Sequence, residues 1–251
     1  VFVFLMAIFL LGILSCDSPS KKASHSQLEG ILDTIYIGRL ICGGHLPLAI
    51  VEKKFQDQLK TFKLQTVQNH DWNDVITDMK LGTLAGIFIL SPLAMNMIYE
   101  GFPGKIVLMA DRNGNGLVLS NKIKSIEELK NRQSIIAVPH TYSQHHVLLH
   151  TLLKQYNVPK AAVKVLGMAP RDMINSLRRG EIDGFMVGEP EGNKSVSLGI
   201  GWMAAISPQI WKDHMDHVFL ASDTFIKEQP DKLQELVNQL VRGGEFIENN
   251  P

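Results

Sequence analysis

The chain has 251 residues, 45% of them hydrophobic and 20% charged, enough to bury the core of one large or two modest domains. Its 25 basic and 25 acidic side chains cancel, so no overall field favours nucleic acid or an anionic membrane, and a charged ligand has to be selected locally. A nucleic-acid partner is therefore not expected.

The opening run "VFVFLMAIFLLGILSC" is uncharged and apolar. It is short for a bilayer span and of the right length for the apolar part of a signal peptide, so residues 1–16 are set apart from the folded domain. Because the chain opens on Val1 rather than Met, a basic leader is expected ahead of it. The stretch Ile13-Leu14-Ser15-Cys16 resembles a bacterial lipobox, which makes Cys16 the expected lipidation site and residues 17–32 a polar tether. With Cys16 lipidated, Cys42 is left without a disulfide partner; it reads as a small residue buried at a strand end.

Beyond the tether the elements alternate. Residues 34–41 read as a strand, 46–59 as a helix with Pro47 in its first turn, and 64–69 as a strand. Residues 72–82 place Trp72, Val75, Ile76 and Met79 at helical spacing, with Asp71 as cap and Gly82 as stop. A buried strand at 85–91, a helix at 92–101 and a strand at 105–111 complete a βαβαβαβ series, which asks for a mostly parallel sheet covered on both faces. "RNGNG" at 112–116 tolerates turns and left-handed backbone and suggests a crossing into a second lobe.

The alternation restarts with a helix at 125–130 carrying a Ser125/Glu128 capping box, a strand at 134–139, a helix at 143–156, a strand at 162–168, a helix at 170–181 and a strand at 184–190. Strands at 202–207 and 217–222 and a long amphipathic helix at 230–250 follow. The expected architecture is α/β, two lobes with a cleft between them. Residues 33–112 and 208–251 form lobe 1 and residues 113–207 lobe 2.

In open α/β sheets ligands sit beyond the carboxyl ends of strands, where helix N-termini offer free N–H groups. The positions just after each strand are Gly43 to Leu46, Asn69 to Trp72, Ser91 and Pro92, Arg112 to Asn115, His140 to His145 and Gly188 to Glu191. They are rich in donors: the Trp72 indole, the Asn113 and Asn115 amides, the Thr141 and Ser143 hydroxyls, and His145. Each has a plainer reading, with Trp72 as core, Thr141 and Ser143 as caps, and Glu189 with Glu191 as a solvated turn. "HTYSQHH" lacks a full metal-ligand spacing, and no nucleophile elbow, phosphate-binding loop or dinucleotide pattern follows the first strand. No enzymatic activity is expected.

The ordered motifs "DWNDVITDMKLGTLAGIFILSPLAMNM", "IVLMADRNGNGLVLS", "VPHTYSQHHVLLHTLLKQYNV", "MAPRDMINSLRRGEIDGFMVGEPEGNKSVSLGIGW" and "FIKEQPDKLQELV" together resemble the solute-binding proteins of ABC importers for nitrate, bicarbonate and related small anions. These belong to the wider sulfonate, taurine and thiamine-precursor group. The resemblance implies a type II periplasmic-binding-protein fold, a hinge that closes on the ligand, partnership with permease and ATPase subunits, and a lipid-anchored place on the outer face of the cytoplasmic membrane. By position it makes Trp72, Asn115, Thr141, Ser143, His145 and Glu189 ligand-binding residues. The sequence departs from the family pattern at Glu191, where an aromatic usually follows "GEP", at Asp71, and at "CGGHLP" after the first strand. A more acidic pocket is expected, which fits either a calcium ion held by Glu189 together with a bicarbonate-like ligand, as the resemblance to bicarbonate-binding relatives implies, or a ligand with its own amine or amidine. A ligand sensor of the same fold and an enzyme resembling the thiamine-pyrimidine synthases are the alternatives; the Cys-rich iron-binding motif of the latter is absent.

Overall fold

The computed structural model describes residues 32–250; Cys16 and residues 17–31 of the tether lie outside them. Two five-stranded sheets organise the chain. The first contains β1 (Asp33–Arg39), β2 (Phe62–Gln68), β3 (Gly86–Leu90), β4 (Gly104–Met109) and β10 (His217–Ser222), in the order β2-β1-β3-β10-β4. The second contains β5 (Asn115–Ser120), β6 (Ser134–Val138), β7 (Val163–Gly167), β8 (Gly184–Gly188) and β9 (Gly201–Ile206), in the order β7-β6-β8-β5-β9. In each sheet one strand runs against the others: β10 pairs antiparallel with β3 and β4, and β5 with β8 and β9.

Both sheets are covered on both faces, as the near-continuous apolar strands require. Strand β3 is buried at every position, a run of GIFIL with no polar side chain to present to water. In the first sheet, α1 (Leu46–Lys54) and α9 (Pro230–Glu248) pack Leu48, Val51, Leu236 and Leu240 against Phe88 and Phe219 on one side. On the other side α2 (Trp72–Lys80) and α3 (Ser91–Tyr99) bring Val75, Met79, Leu93 and Met97 onto Ile87 and Leu220. The second sheet lies between α4 (Gln144–Gln155), with Leu148, Leu149 and Leu152, and α5 (Pro170–Arg179), with Met173, Ile174 and Leu177. Among the described residues no helix is long and apolar enough to cross a membrane.

Four elements lie where none was expected. Strand β5 begins in the glycine-rich turn and runs on to Ser120, and the short helices α6 (Glu191–Ser197), α7 (Ser207–Ile210) and α8 (Asp223–Glu228) follow β8, β9 and β10. The expected helix at 125–130 is a 3-10 stretch, Ile126–Asn131, and Ser125 makes no side-chain cap; Glu128 accepts instead from the Lys124 N–H at 3.2 Å. The helix α7 (Ser207–Ile210) opens the return from the second sheet to the first.

The two chain crossings between the sheets lie side by side. Arg112 and Met215 form an antiparallel bridge, the Asn113 N–H donates to the His214 carbonyl at 3.1 Å, and the Asp213 N–H donates to Asn113 Oδ1 at 3.0 Å. Asn113 (φ 62°) and Gly114 (φ 75°) adopt left-handed backbone, which Asn and Gly tolerate at little cost.

The reversed strands decide what reaches the cleft. A parallel strand brings its last residue to the carboxyl edge of the sheet, whereas a reversed strand brings its first. His217, the first residue of β10, therefore pairs with Leu90 at the end of β3, and Asn115, the first residue of β5, pairs with Gly188 at the end of β8.

Candidate functional site

The turn between β1 and α1 carries Cys42-Gly43-Gly44-His45, the last three in a 3-10 turn. His45 Nδ1 is held by the backbone of Leu40, 2.9 Å from its carbonyl and 3.0 Å from its N–H. That leaves His45 Nε2 buried with no partner among the described residues. The turn approaches its neighbours this closely because position 44 has no side chain: a Cβ there would collide with the Asp111 carboxylate and His217 Nδ1. Gly43 donates its N–H to the Glu189 carbonyl at 2.9 Å, a direct bond between the two lobes.

His217 sits between a thiol and two carboxylates. Its Nε2 lies 3.7 Å from Cys42 Sγ. Its Nδ1 lies 3.2 Å from Asp111 Oδ1 and 3.2 Å from Asp216 Oδ2, and its backbone N–H donates to Asp111 Oδ1 at 2.7 Å. Burial disfavours the charged imidazole, yet Asp216, Cys42 and Asp111 together hold its pKa well above the ordinary histidine value. Burial likewise pushes the Cys42 thiol up, but His45 and His217 more than offset it and bring the thiol down to about 6, so the thiolate predominates at neutral pH.

Trp72 lies over this cluster, 2% exposed, its ring 5.9 Å from both His45 and His217. It packs as part of the core, yet its indole N–H has no protein partner. Asp71 caps α2 by accepting from the Asn73 and Asp74 N–H groups at 2.8 and 3.0 Å.

Lobe 2 faces the cluster with His145, 1% exposed and partnered at neither ring nitrogen. Burial, only partly countered by Asp216, drives its pKa down to about 4 and keeps it neutral. Ser143 caps α4 by accepting from the His146 N–H at 3.3 Å. Thr141 is exposed, with its carbonyl 2.9 Å from His146 Nδ1. Asn115 is buried; its Nδ2 donates to the Asn113 carbonyl at 3.1 Å and lies 3.0 Å from His214 Nε2, while Oδ1 is unpartnered. The Glu189 carboxylate folds back onto its own helix and accepts from the Asn193 N–H at 2.9 Å.

Between the lobes lies a cavity of about 20 Å3, lined by Cys42, Trp72 and His217 on one side and Pro139, His145 and Glu191 on the other; among the described residues no Lys or Arg lines it. Of the residues named from sequence, Trp72 and His145 meet there. Asn115 stands behind them beside His214, while Thr141, Ser143 and Glu189 do not line it. Sequence reasoning takes Cys42 only as a strand-end residue, holds His45 only within the post-strand stretch Gly43 to Leu46, and passes over Asp111, Asp216 and His217. The Cys-x-x-His spacing directly after a strand was the available signal for the first two.

The cluster supports two chemistries. Cys42, His45 and His217 offer ligand atoms all within 4.8 Å of one another, as do Asp111, Asp216 and His217, so either set has the reach to hold a metal ion. The line Cys42–His217–Asp111 also has the order of a nucleophile, a base and its orienting acid.

The family model described as the NMT1-like family matches residues 32–251. A nitrate import ATP-binding protein of Synechococcus elongatus, NrtC, is 27% identical over 86% of this chain and 35% of its own length. A bicarbonate transport ATP-binding protein of the same species, CmpC, is 24% identical over 94% of this chain and 38% of its own. The chain thus spans little more than a third of the length of these relatives. Among solved structures, the ligand-binding component of an ABC-type import system from Staphylococcus aureus, described with zinc bound, superposes with a TM-score of 0.79 and 25% identity over 84% of this chain and 74% of that one. The periplasmic nitrate-binding protein NrtA of Synechocystis superposes with a TM-score of 0.76 and 20% identity over 85% of this chain and 62% of that one. The match along the whole described region, with the two-lobed α/β architecture of those structures, establishes that the chain belongs to the NMT1-like family.

Proposed function

We propose that this chain is the solute-capturing component of an ABC importer, a receptor that holds a small ligand between its lobes and passes it to a permease driven by ATPase subunits. The observation that carries the reading is the gathering, on the two facing lobes, of buried polar atoms that have no partner among the described residues: Trp72 Nε1, His45 Nε2, both nitrogens of His145, and Asn115 Oδ1. Left unpaired, each such group costs about 1–3 kcal/mol. A polar solute in the cleft would remove that cost.

A small anion, nitrate or bicarbonate, is the ligand that the relatives' names support. Trp72 Nε1, a protonated His217 and the N-terminus of α4 are its donors, with Asn115 behind them. Calcium accompanying bicarbonate at Glu189 belongs to the same reading, with Oε1 as the oxygen not bonded to Asn193. Lipidation at Cys16 would tether the receptor to the outer face of the cytoplasmic membrane. Closure would turn about the paired crossings at 112–114 and 213–215.

The test is a thermal-shift screen of nitrate, nitrite, bicarbonate with and without calcium, and sulfonates, since a ligand raises the melting temperature by mass action. A shift lost in Trp72→Phe is the expected result. The absence of any shift would remove the anion from the reading. The order Cys42–His217–Asp111 favours a second reading, a thiol enzyme. Purified protein should return each candidate solute unchanged; a product would decide for the enzyme.

A further inference from the structure

We propose that Cys42 Sγ, His45 Nε2 and His217 Nε2 form a three-ligand site for a transition-metal ion of the zinc class, its fourth position opening into the interlobe cavity. The inference rests on the solute-receptor reading only for the role of that fourth position; the site itself stands on the geometry of lobe 1.

Four observations carry it. In a tetrahedral site with Zn–S near 2.3 Å and Zn–N near 2.0–2.1 Å, sulfur and nitrogen ligands stand about 3.6 Å apart. Cys42 Sγ and His217 Nε2 are 3.7 Å apart, so an ion fits between them without rebuilding the pair. Both imidazoles have the outer contacts that orient metal-bound histidines: His45 Nδ1 is against the Leu40 carbonyl and His217 Nδ1 against Asp111, which leaves each Nε2 free to coordinate. His45 Nε2 is buried, without a protein partner, and belongs to a side chain 2% exposed. Finally, Gly44 permits the approach of the turn to Asp111 and His217 that gathers the three ligands.

The donor set selects the ion. One thiolate and two imidazoles suit zinc and its neighbours, whereas magnesium and calcium demand oxygen. The charge agrees. Asp111 and Asp216 flank one histidine, and among the described residues no Lys or Arg lines the cavity, so an entering cation meets two carboxylates and no competing basic side chain. Entry of the ion displaces the His217 Nε2 proton to solvent, and the thiolate sulfur and the two ring nitrogens each supply an electron pair. The bound ion then replaces the His217 proton as the positive charge facing an anionic solute, which would take the open position opposite His145.

The experiment uses the purified full chain, stripped with chelator and titrated with Zn2+, Co2+, Ca2+ and Mg2+ by equilibrium dialysis and optical spectroscopy. One equivalent of Zn2+ or Co2+ should bind, with a thiolate-to-cobalt charge-transfer band and tetrahedral-intensity visible bands, and Ca2+ and Mg2+ should not compete. Cys42→Ser should abolish the charge-transfer band. His45→Gln and His217→Gln should each weaken binding at least tenfold, and His150→Gln, on the exposed face of α4, should leave it unchanged. Zn2+ should also protect Cys42 of the unaltered chain from iodoacetamide, located by peptide mapping, a readout that needs no variant to fold. Failure of the unaltered chain to bind Zn2+, or binding that Cys42→Ser leaves intact, overturns the site. If anions raise the melting temperature of the metal-free protein while Zn2+ does not bind, the receptor reading survives and the metal site falls. If Zn2+ binds as expected and no solute shifts either form, the site stands and the anion reading falls.

Discussion

Gly44→Ala is the sharpest single test of how the CGGH turn is fitted to its neighbours. The added Cβ would collide with Asp111 Oδ2 and His217 Nδ1 and come within 2.9 Å of Asp111 Cγ. None of these is the far end of a long flexible side chain. His217 is fixed by β10 on one side and Asp216 on the other, and Asp111 already accepts the His217 backbone N–H at 2.7 Å. The methyl therefore has to separate Asp111 from His217. Breaking a fully buried ion pair costs about 3–5 kcal/mol; the Asp111 side chain is 25% exposed against 3% for His217, which lowers the expectation to about 2–3 kcal/mol. For a domain of this size each kcal/mol moves the melting temperature by about 2–4 °C, so calorimetry at neutral pH should show a fall of about 5–10 °C. Gly244→Ala, on α9 with nothing within 4 Å of the new methyl, is the control and should gain about 0.5–1 kcal/mol. Coupling is the second check: in an Asp111→Ala background the cost of Gly44→Ala should drop by at least about 1 kcal/mol, as for residues in contact. A fall under about 2 °C, or strict additivity with Asp111→Ala, would mean that the turn simply moves aside.

Further expectations concern the two lobes separately. His145 is neutral in the folded chain, with its pKa depressed to about 4 from an unfolded value near 6.5. The unfolded chain therefore binds more protons between those values, and stability should be full above about pH 6.5 and fall as pH drops toward 4, by about 3 kcal/mol in all. Urea unfolding as a function of pH should show that slope reduced in His145→Gln, and an unchanged slope would refute the assignment. Trp72→Phe removes a buried N–H without a protein partner, so it should leave the melting temperature within about 2 °C while weakening solute binding by about tenfold in a fluorescence or calorimetric titration. Ser143→Ala deletes the α4 cap and should cost about 1 kcal/mol in chemical denaturation. Phe219→Ala opens a cavity between β10 and the α1–α9 face and should cost about 3–5 kcal/mol; a loss under about 1 kcal/mol would show that this face collapses freely.

The division between what the sequence disclosed and what it hid follows from strand direction. Hydrophobic period and cap residues located the elements because each depends only on neighbours in the chain: Asp71 caps α2 as expected, and Ser143, named as a ligand residue, takes its plainer role as the α4 cap. Elements with weak local signals escaped. "EGNKSVS" has no apolar period and still forms α6, because Glu189 and the Pro190 carbonyl satisfy its first N–H groups. The rule that binding positions follow strand ends brings Trp72 and His145 to the cavity but also names Thr141, Ser143 and Glu189, which do not line it. It fails for the reversed strands, whose first residues arrive there. Asp216 and His217 therefore escaped, although an Asp-His pair opening an otherwise apolar strand is itself a signal: two charged groups at the mouth of VFLA, a run with no polar partner to offer them. Cys42 was read as a buried strand-end residue because its partner is 175 positions away, and no spacing rule reaches that far. A reversed strand in a two-lobed α/β chain thus places a chemically loaded first residue opposite the loaded last residues of its neighbours. The same reasoning applied to β5 accounts for Asn115, which as the first residue of its strand pairs with Gly188 and stands just behind the cavity beside His214.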